Sequence, residues 1–188
     1  MNKSVIRIQN NSPVVLGFSL ACLCVLILDI LTGGLSTIRL FSVYRSTPGD
    51  LLIYPRFVLH VLGHSDYSHF IGNIMMILAI GPALEERYGG RNLLLAMFLT
   101  ALVSGMVQWL FFKDTILMGA SGILLMMIVM SSVAGMKAGC IPLTLILVLL
   151  LFVGGEIVDA VTVKDNVSQM AHIVGGLCGA VLGTCMRK

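Results

Sequence analysis

Charged residues are scarce in this chain of 188 residues. Asp, Glu, Lys and Arg make up 11% of it, against about 25% in a typical soluble domain. The mean hydropathy is +0.99. Because so few polar side chains cannot cover a protein surface, the composition excludes a water-soluble globular domain and indicates a protein of the lipid bilayer. The net charge of +3 suits the anionic inner leaflet and gives no reason to expect a nucleic-acid partner.

Signatures of metal and cofactor binding are missing as well. The H-E-x-x-H motif of helix-borne zinc proteases is absent. His60, His64 and His69 are close enough in sequence to suggest a metal site, but no glutamate lies near them to act as a base. We therefore predict neither metal nor cofactor. The five cysteines lack metal-ligand spacing and are interpreted as small packing residues: Cys22, Cys24, Cys140, Cys178 and Cys185.

Long apolar runs are what the chain has in abundance. A helix that crosses a hydrocarbon core about 30 Å thick needs about 20 residues. Residues 33–68, between the first two runs, contain two prolines and three arginines, and we expect them to form a structured loop. The pattern predicts an all-α membrane protein, a single domain over residues 1–188. Its six predicted spans are about 14–32, 69–84, 92–112, 116–136, 140–158 and 169–186.

The distribution of lysine and arginine predicts the orientation. If the N-terminus is cytoplasmic, seven of the twelve basic residues lie on the cytoplasmic side. Because positive charge favours that side, both termini are expected in the cytoplasm.

Polar residues open three of the spans at one face of the membrane. The second, fourth and sixth spans run in the same direction, so their first turns lie on the same side. The second contains His69 and Asn73, which share a helical face; the fourth contains Ser121 and the sixth His172. Buried polar groups are costly in a membrane and usually mark function.

The predicted depth of Ser121 in the membrane supports the same interpretation. A regular helix from Ser121 to Gly135 would be about 22 Å long, too short to cross the bilayer, so the serine would lie below the surface. A serine hydroxyl becomes a nucleophile when an imidazole takes its proton, and His172 can do so. The Ser121 amide, His69 and Asn73 can donate hydrogen bonds to an oxyanion. This set of groups predicts acyl transfer by a Ser–His dyad.

Small residues support the same site. Gly119 and Gly122 leave Ser121 without bulky neighbours. Gly175, Gly179 and Gly183 form a smooth stripe on the sixth span, which we expect to pack against the fourth span and bring His172 to Ser121. The structural alternatives stay open: Ser121 as a close-packing residue, and His69 and Asn73 as an interhelical hydrogen bond. For His60 and His64 a structural hydrogen bond is favoured, and Glu85 to Arg87 are interpreted as an interfacial anchor.

Taken in their order along the chain, the motifs that contain these residues resemble those of the rhomboid intramembrane serine proteases over about residues 55–185. The resemblance implies the six-helix rhomboid bundle, Ser121 as nucleophile, His172 as base, and His69 and Asn73 as oxyanion donors. It also implies transmembrane protein substrates, cut near their outer ends without metal. The motifs are His60-x3-His64-x4-His69-x3-Asn73, "ALEERYG" (83–89), "SGMVQ" (104–108), "GASG" (119–122) and "AHIVGGLCG" (171–179).

Two positions depart from the family pattern. Leu125 stands where many members have an aromatic residue, and "YPRF" (54–57) replaces a tryptophan–arginine pair in the first loop. A soluble-type hydrolase is disfavoured because its G-x-S-x-G elbow would need a glycine at Ile123.

A transport or membrane-segment-binding protein of the same fold, without proteolysis, is the alternative function. No inverted repeat supports transport. A compact chain of six spans suggests the bacterial cytoplasmic membrane, with the site facing outward. The sequence identifies neither the substrate nor the oligomeric state.

Overall fold

The computed structural model describes residues 11–136, 140–143, 146–147, 150–151 and 170–186. Within these residues the secondary structure is helical, apart from an isolated β-bridge between Val43 and Leu117. A 3-10 turn, His60–Leu62, extends the third helix. The helices are α1 (Pro13–Leu31), α2 (Leu35–Leu40), α3 (Ile53–Leu59), α4 (Tyr67–Tyr88), α5 (Gly90–Phe111), α6 (Ser121–Ala134) and α7 (Met170–Cys185).

Three of these helices, α1, α4 and α5, are long and apolar enough to cross a membrane, with 19, 22 and 22 residues. They correspond to the first three predicted spans. The predicted limits of the second span, 69–84, were too narrow. The helix starts earlier because the Asp66 side chain caps it, and it continues to Tyr88, where Gly89 with a φ of 84° ends it.

The fourth predicted span, 116–136, was placed too early at its start. Leu117 pairs with Val43 through two backbone hydrogen bonds of 2.8 and 2.9 Å. Gly119 then has a φ of 110°, which interrupts a helix. Helix α6 therefore begins at Ser121 and has 14 residues, a length of about 21 Å. Ser121 is the residue from which the length of this helix was estimated in the sequence.

The remaining predicted spans are described to different extents. The fifth, 140–158, lies largely outside the described residues. The sixth, 169–186, is matched by α7, which is 16 residues long.

Helix α6 is the centre of the bundle. Ten of its 14 residues are buried, as expected for a helix surrounded by others. It packs most extensively on α7 and also contacts α4 and α5. The predicted glycine stripe makes the α6–α7 contact: a Cβ at Gly179 would lie 2.5 Å from the Met126 carbonyl oxygen, and one at Gly183 would lie 3.2 Å from Met130 Cα. Because a side chain at these positions would clash with α6, only glycine lets the two helices come this close.

The first loop is structured, as predicted. Asp29, at the end of α1, accepts hydrogen bonds from the Ser36 hydroxyl and the Thr37 amide and so caps α2. Arg56 is 3% exposed. Its guanidinium binds the Arg39 carbonyl and the Asp50 carboxylate at 2.7 and 2.9 Å. This residue of the "YPRF" segment therefore joins the two halves of the loop.

The "ALEERYG" segment at the end of α4 does more than anchor a helix at the interface. Glu85 is buried, and its two carboxylate oxygens accept the amides of Val14 and Val15 at 3.0 Å each. Arg87 donates to the Ala134 carbonyl at the end of α6. The anchor interpretation was incomplete because Glu85 caps α1 across a separation of about 70 residues.

Candidate active site

The first turn of α4 holds two of the predicted site residues. Asp66 accepts the His69 amide at 2.9 Å and fixes the start of the helix. The His69 side chain is half-buried at this end of the bundle. Asn73 follows one turn later on the same face and is 6% exposed. Its Nδ2 has no hydrogen-bond partner among the residues described. A buried amide donor without a partner is unusual, because such groups are normally paired.

The loop before α6 is held against this turn. The Gly119 amide donates to the His60 carbonyl at 3.0 Å. A Cβ at Gly119 would lie 2.7 Å from Cε1 and 2.8 Å from Nε2 of His69. The absence of a side chain at position 119 thus allows the loop to lie on the imidazole ring. The next residues of the loop lead directly into Ser121.

Helix α7 approaches from the other side of Ser121. A Cβ at Gly122 would lie 3.0 Å from the carbonyl oxygen of Ala171, and Gly175 faces the Gly122 backbone. His172 is therefore in the turn of α7 that packs on the first turn of α6. His172 also interacts electrostatically with His69. The structure thus brings the first turns of α4, α6 and α7 together around a half-buried Ser121.

Leu125 lies one turn after Ser121 and is 4% exposed. A Cβ at Gly176 would be 3.7 Å from Leu125 Cδ2, an ordinary packing distance. An aliphatic contact with α7 therefore occupies the position where an aromatic residue was expected from the family pattern.

His60 and His64 lie next to the site but have structural partners. A ring nitrogen of His60 is 3.1 Å from the Ala101 carbonyl, and one of His64 is 3.2 Å from the Leu62 carbonyl. Burial lowers the pKa of each to about 4, so both are neutral at pH 7. In the described part of the chain, no group of three histidine, cysteine or acidic side chains could hold a metal ion.

The "SGMVQ" segment supports the site through contacts that the motif alone did not indicate. Ser104 lies 3.4 Å from a ring nitrogen of His60. A Cβ at Gly105 would be 2.6 Å from the Phe57 carbonyl oxygen. Gln108 is fully buried and donates to the Thr115 carbonyl at 2.8 Å. Together these residues tie α5 to both loops that border the site. The sequence signal for these contacts was a glycine, Gly105, three positions before a polar residue, Gln108, within an apolar run.

Comparison with known proteins gives the family. The family model described as Rhomboid domain matches residues 53–188. Two proteins named Rhomboid protease GlpG, from Yersinia pestis (strain Pestoides F) and Yersinia pseudotuberculosis (serotype O:3, strain YPIII), are 28% identical to this chain over 99 residues. The match covers 53% of this chain and 35% of each relative, so it spans about a third of the relatives' length. With the apolar helices described above, these matches show that the chain is an integral membrane protein that belongs to the rhomboid family.

Proposed function

We propose that this protein is an intramembrane serine endopeptidase that cleaves transmembrane proteins near their outer ends. One observation carries the proposal: Ser121 is the first residue of a 14-residue buried helix, with the glycine two residues before it against His69 and the glycine after it against α7. A packing role for Ser121 would not require two imidazoles at the same end of the bundle.

In this proposal, His172 takes the proton of the Ser121 hydroxyl as the oxygen attacks the scissile carbonyl. The tetrahedral intermediate collapses, the C–N bond breaks, and the leaving amine receives the proton from His172. Water, deprotonated by the same imidazole, then hydrolyses the acyl-enzyme. Two residues are enough for this cycle, and neither a metal nor a cofactor takes part.

The oxyanion is bound by donors from two helices. The Ser121 amide is at the N-terminus of α6, where the first amides have no partner within the helix and the helix dipole favours negative charge. His69 and Asn73 donate from α4. Among the residues that the structure describes, Asn73 Nδ2 has no hydrogen-bond partner. This supports the role, since a donor that is free before the reaction gains its bond only as the oxyanion forms.

The topology follows the sequence prediction. We propose one domain over residues 1–188 with six spans, both termini in the cytoplasm, and the site facing the outer side of a bacterial cytoplasmic membrane. The short α6 supports this arrangement, because a helix of about 21 Å that starts at Ser121 leaves room above it for water. The resemblance adds a preference for small residues around the scissile bond.

The test is cleavage of a transmembrane substrate by the protein reconstituted into liposomes. Wild type should cleave it, and both Ser121→Ala and His172→Ala should lose at least about a thousandfold in kcat. A fluorophosphonate should inhibit wild type, and a chelator should have no effect. Undiminished cleavage by Ser121→Ala would refute the assignment. Loss of activity with the chelator alone would indicate a metal enzyme, and substrate binding without any cleavage would favour a binding protein.

A further inference from the structure

A groove between α4 and α6 lies at the end of the bundle opposite Ser121. It consists of two cavities of about 420 and 480 Å³. Ser131 and Gly135 line both of them, so the two cavities adjoin each other. Each volume is within the range of about 300–1,000 Å³ that is typical of small-molecule sites. No step of the proposed proteolysis uses this groove.

One stripe of each helix forms a wall of the groove. Ile128 and Ser132 are one turn apart on α6 and are only half-buried, whereas ten of the 14 residues of this helix are buried. On α4, Ile80, Leu84 and Arg87 share a face through their i, i+4 and i+7 spacing. The helix rises about 10 Å from Ile80 to Arg87. The groove therefore extends about a third of the way across a hydrocarbon core near 30 Å thick.

The two cavities differ in chemistry. The one nearer the middle of the helices is lined by Ile80, Ile128 and Pro142, together with small and hydroxyl-bearing residues. The one at the helix ends is also lined by a carboxylate and a guanidinium, those of Glu86 and Arg87. Both charged residues are exposed. A groove that is apolar towards the bilayer centre and charged at the interface has the polarity profile of a phospholipid molecule.

The charged end of the groove is fixed by a contact between the two helices. The Arg87 guanidinium donates to the carbonyl of Ala134, the last residue of α6. A guanidinium has five N–H donors, so this bond leaves others for a phosphate, which arginine binds through two parallel hydrogen bonds. The Glu86 carboxylate next to it accepts hydrogen bonds from an ammonium group. Among the described residues that line the groove, these two are the charged ones.

We propose that this groove binds one phosphatidylethanolamine molecule, with its phosphate on Arg87 and its ammonium on Glu86. An acyl chain lies between Ile80 and Ile128. One cation and one anion match the two charges of this headgroup. Phosphatidylglycerol has the phosphate without the ammonium, so Glu86 repels it. The quaternary ammonium of phosphatidylcholine has no N–H for the carboxylate to accept. The site goes beyond the proposed protease activity and does not depend on it.

Two variants test the headgroup contact and the groove separately. Glu86→Gln removes the carboxylate charge, and Asp114→Asn, at an exposed acid outside the groove, is its control. Ser131→Phe fills the place where the two cavities meet. Its control is Met75→Phe, at an exposed position of α4 that does not line the groove. Because all four positions are exposed, each variant without added lipid should unfold within about 2 °C of wild type.

The measurement is lipid binding by the full-length protein, stripped of lipid in detergent and mixed with three phospholipids of identical acyl chains. Native mass spectrometry counts the bound lipids. The rise in unfolding temperature gives the binding constants, since a ligand of the folded state stabilises it by mass action. One phosphatidylethanolamine should bind about fivefold more tightly than phosphatidylglycerol or phosphatidylcholine. Glu86→Gln should remove the preference over phosphatidylglycerol, and Ser131→Phe should lose the bound lipid, while both control variants bind as wild type does.

Equal binding of the three phospholipids, or tighter binding of phosphatidylglycerol, would overturn the proposal. An unchanged preference in Glu86→Gln, or unchanged binding in Ser131→Phe, would also overturn it, because the lipid would then bind elsewhere. Phosphoethanolamine, the headgroup without acyl chains, should not displace the lipid at equal concentration. Displacement would mean that the groove binds a soluble phosphate compound instead of a lipid. None of these readouts depends on cleavage, so they test the lipid site separately from the protease assignment.

Discussion

The close approach of α6 and α7 at Gly179 can be tested with one methyl group. Gly179→Ala would place a Cβ 2.5 Å from the Met126 carbonyl oxygen and 2.9 Å from Val129 Cβ. Ordinary contacts begin near 3.4 Å, so the two helices must separate locally by about 0.9 Å in a close-packed interior. Met126 cannot yield, because the atom in contact is backbone.

The expected magnitude combines two opposing effects. Overpacking a tight contact costs about 1–3 kcal/mol, and replacing glycine by alanine within a helix returns about 1 kcal/mol. Gly179→Ala should therefore lower the free energy of unfolding by up to about 2 kcal/mol. Because α7 also contains His172, a shift approaching 1 Å at the dyad should lower kcat by about tenfold to a hundredfold.

A matched control lies on the same helix. A Cβ at Gly176 would be 3.7 Å from Leu125 Cδ2, so Gly176→Ala should gain the helix propensity without a clash and unfold at or above the wild-type temperature. Thermal unfolding in detergent and substrate cleavage in liposomes would be measured for both variants. Equal stability of Gly179→Ala and Gly176→Ala would refute the packing argument.

Three further predictions follow from single residues. Asn73→Ala should change the unfolding free energy by less than about 1 kcal/mol, since Nδ2 donates no bond among the described residues. The same variant should lower kcat roughly a hundredfold, and equal losses of stability and activity would indicate that Asn73 is structural. Glu85→Ala should destabilise the protein by about 2 kcal/mol because one buried and one half-buried amide lose their acceptor, and the exposed neighbour control, Glu86→Ala, should not. Arg56→Ala should lower the unfolding free energy by about 2 kcal/mol, because two hydrogen bonds to a charged donor are lost while Asp50 stays partly solvated. Arg39→Ala, which keeps the carbonyl that Arg56 binds, should leave it unchanged, and both are read by thermal unfolding.

Local patterns in the sequence were enough to predict most of the helices. Apolar runs gave α1, α5 and α7 to within about two residues, since helix length in a membrane is set by hydrophobic thickness. The start of α6 was less clear, because residues 116–120 are as apolar as the helix itself. Their pairing with Val43 and the positive φ of Gly119 are properties of the folded chain.

The residue types of the candidate site, and their position at one end of the bundle, could be predicted from the sequence. The spacing of His69 and Asn73, and the parity of the spans that carry Ser121 and His172, follow from helix geometry alone. The catalytic roles of these residues stay predictions.

The supporting contacts could not be predicted, because they join residues far apart in sequence. Glu85 reaches the first turn of α1, and the Gly119 amide binds the His60 carbonyl. No local pattern specifies a partner at such a separation.

The central claim, that Ser121 is the nucleophile, is tested most directly by covalent labelling. The reconstituted protein would be treated with a fluorophosphonate and the modified residue located by peptide mass spectrometry. We predict a single adduct on Ser121, formed in parallel with loss of substrate cleavage and abolished by His172→Ala. An active protease with no adduct on Ser121, or with its adduct on another residue, would contradict the account.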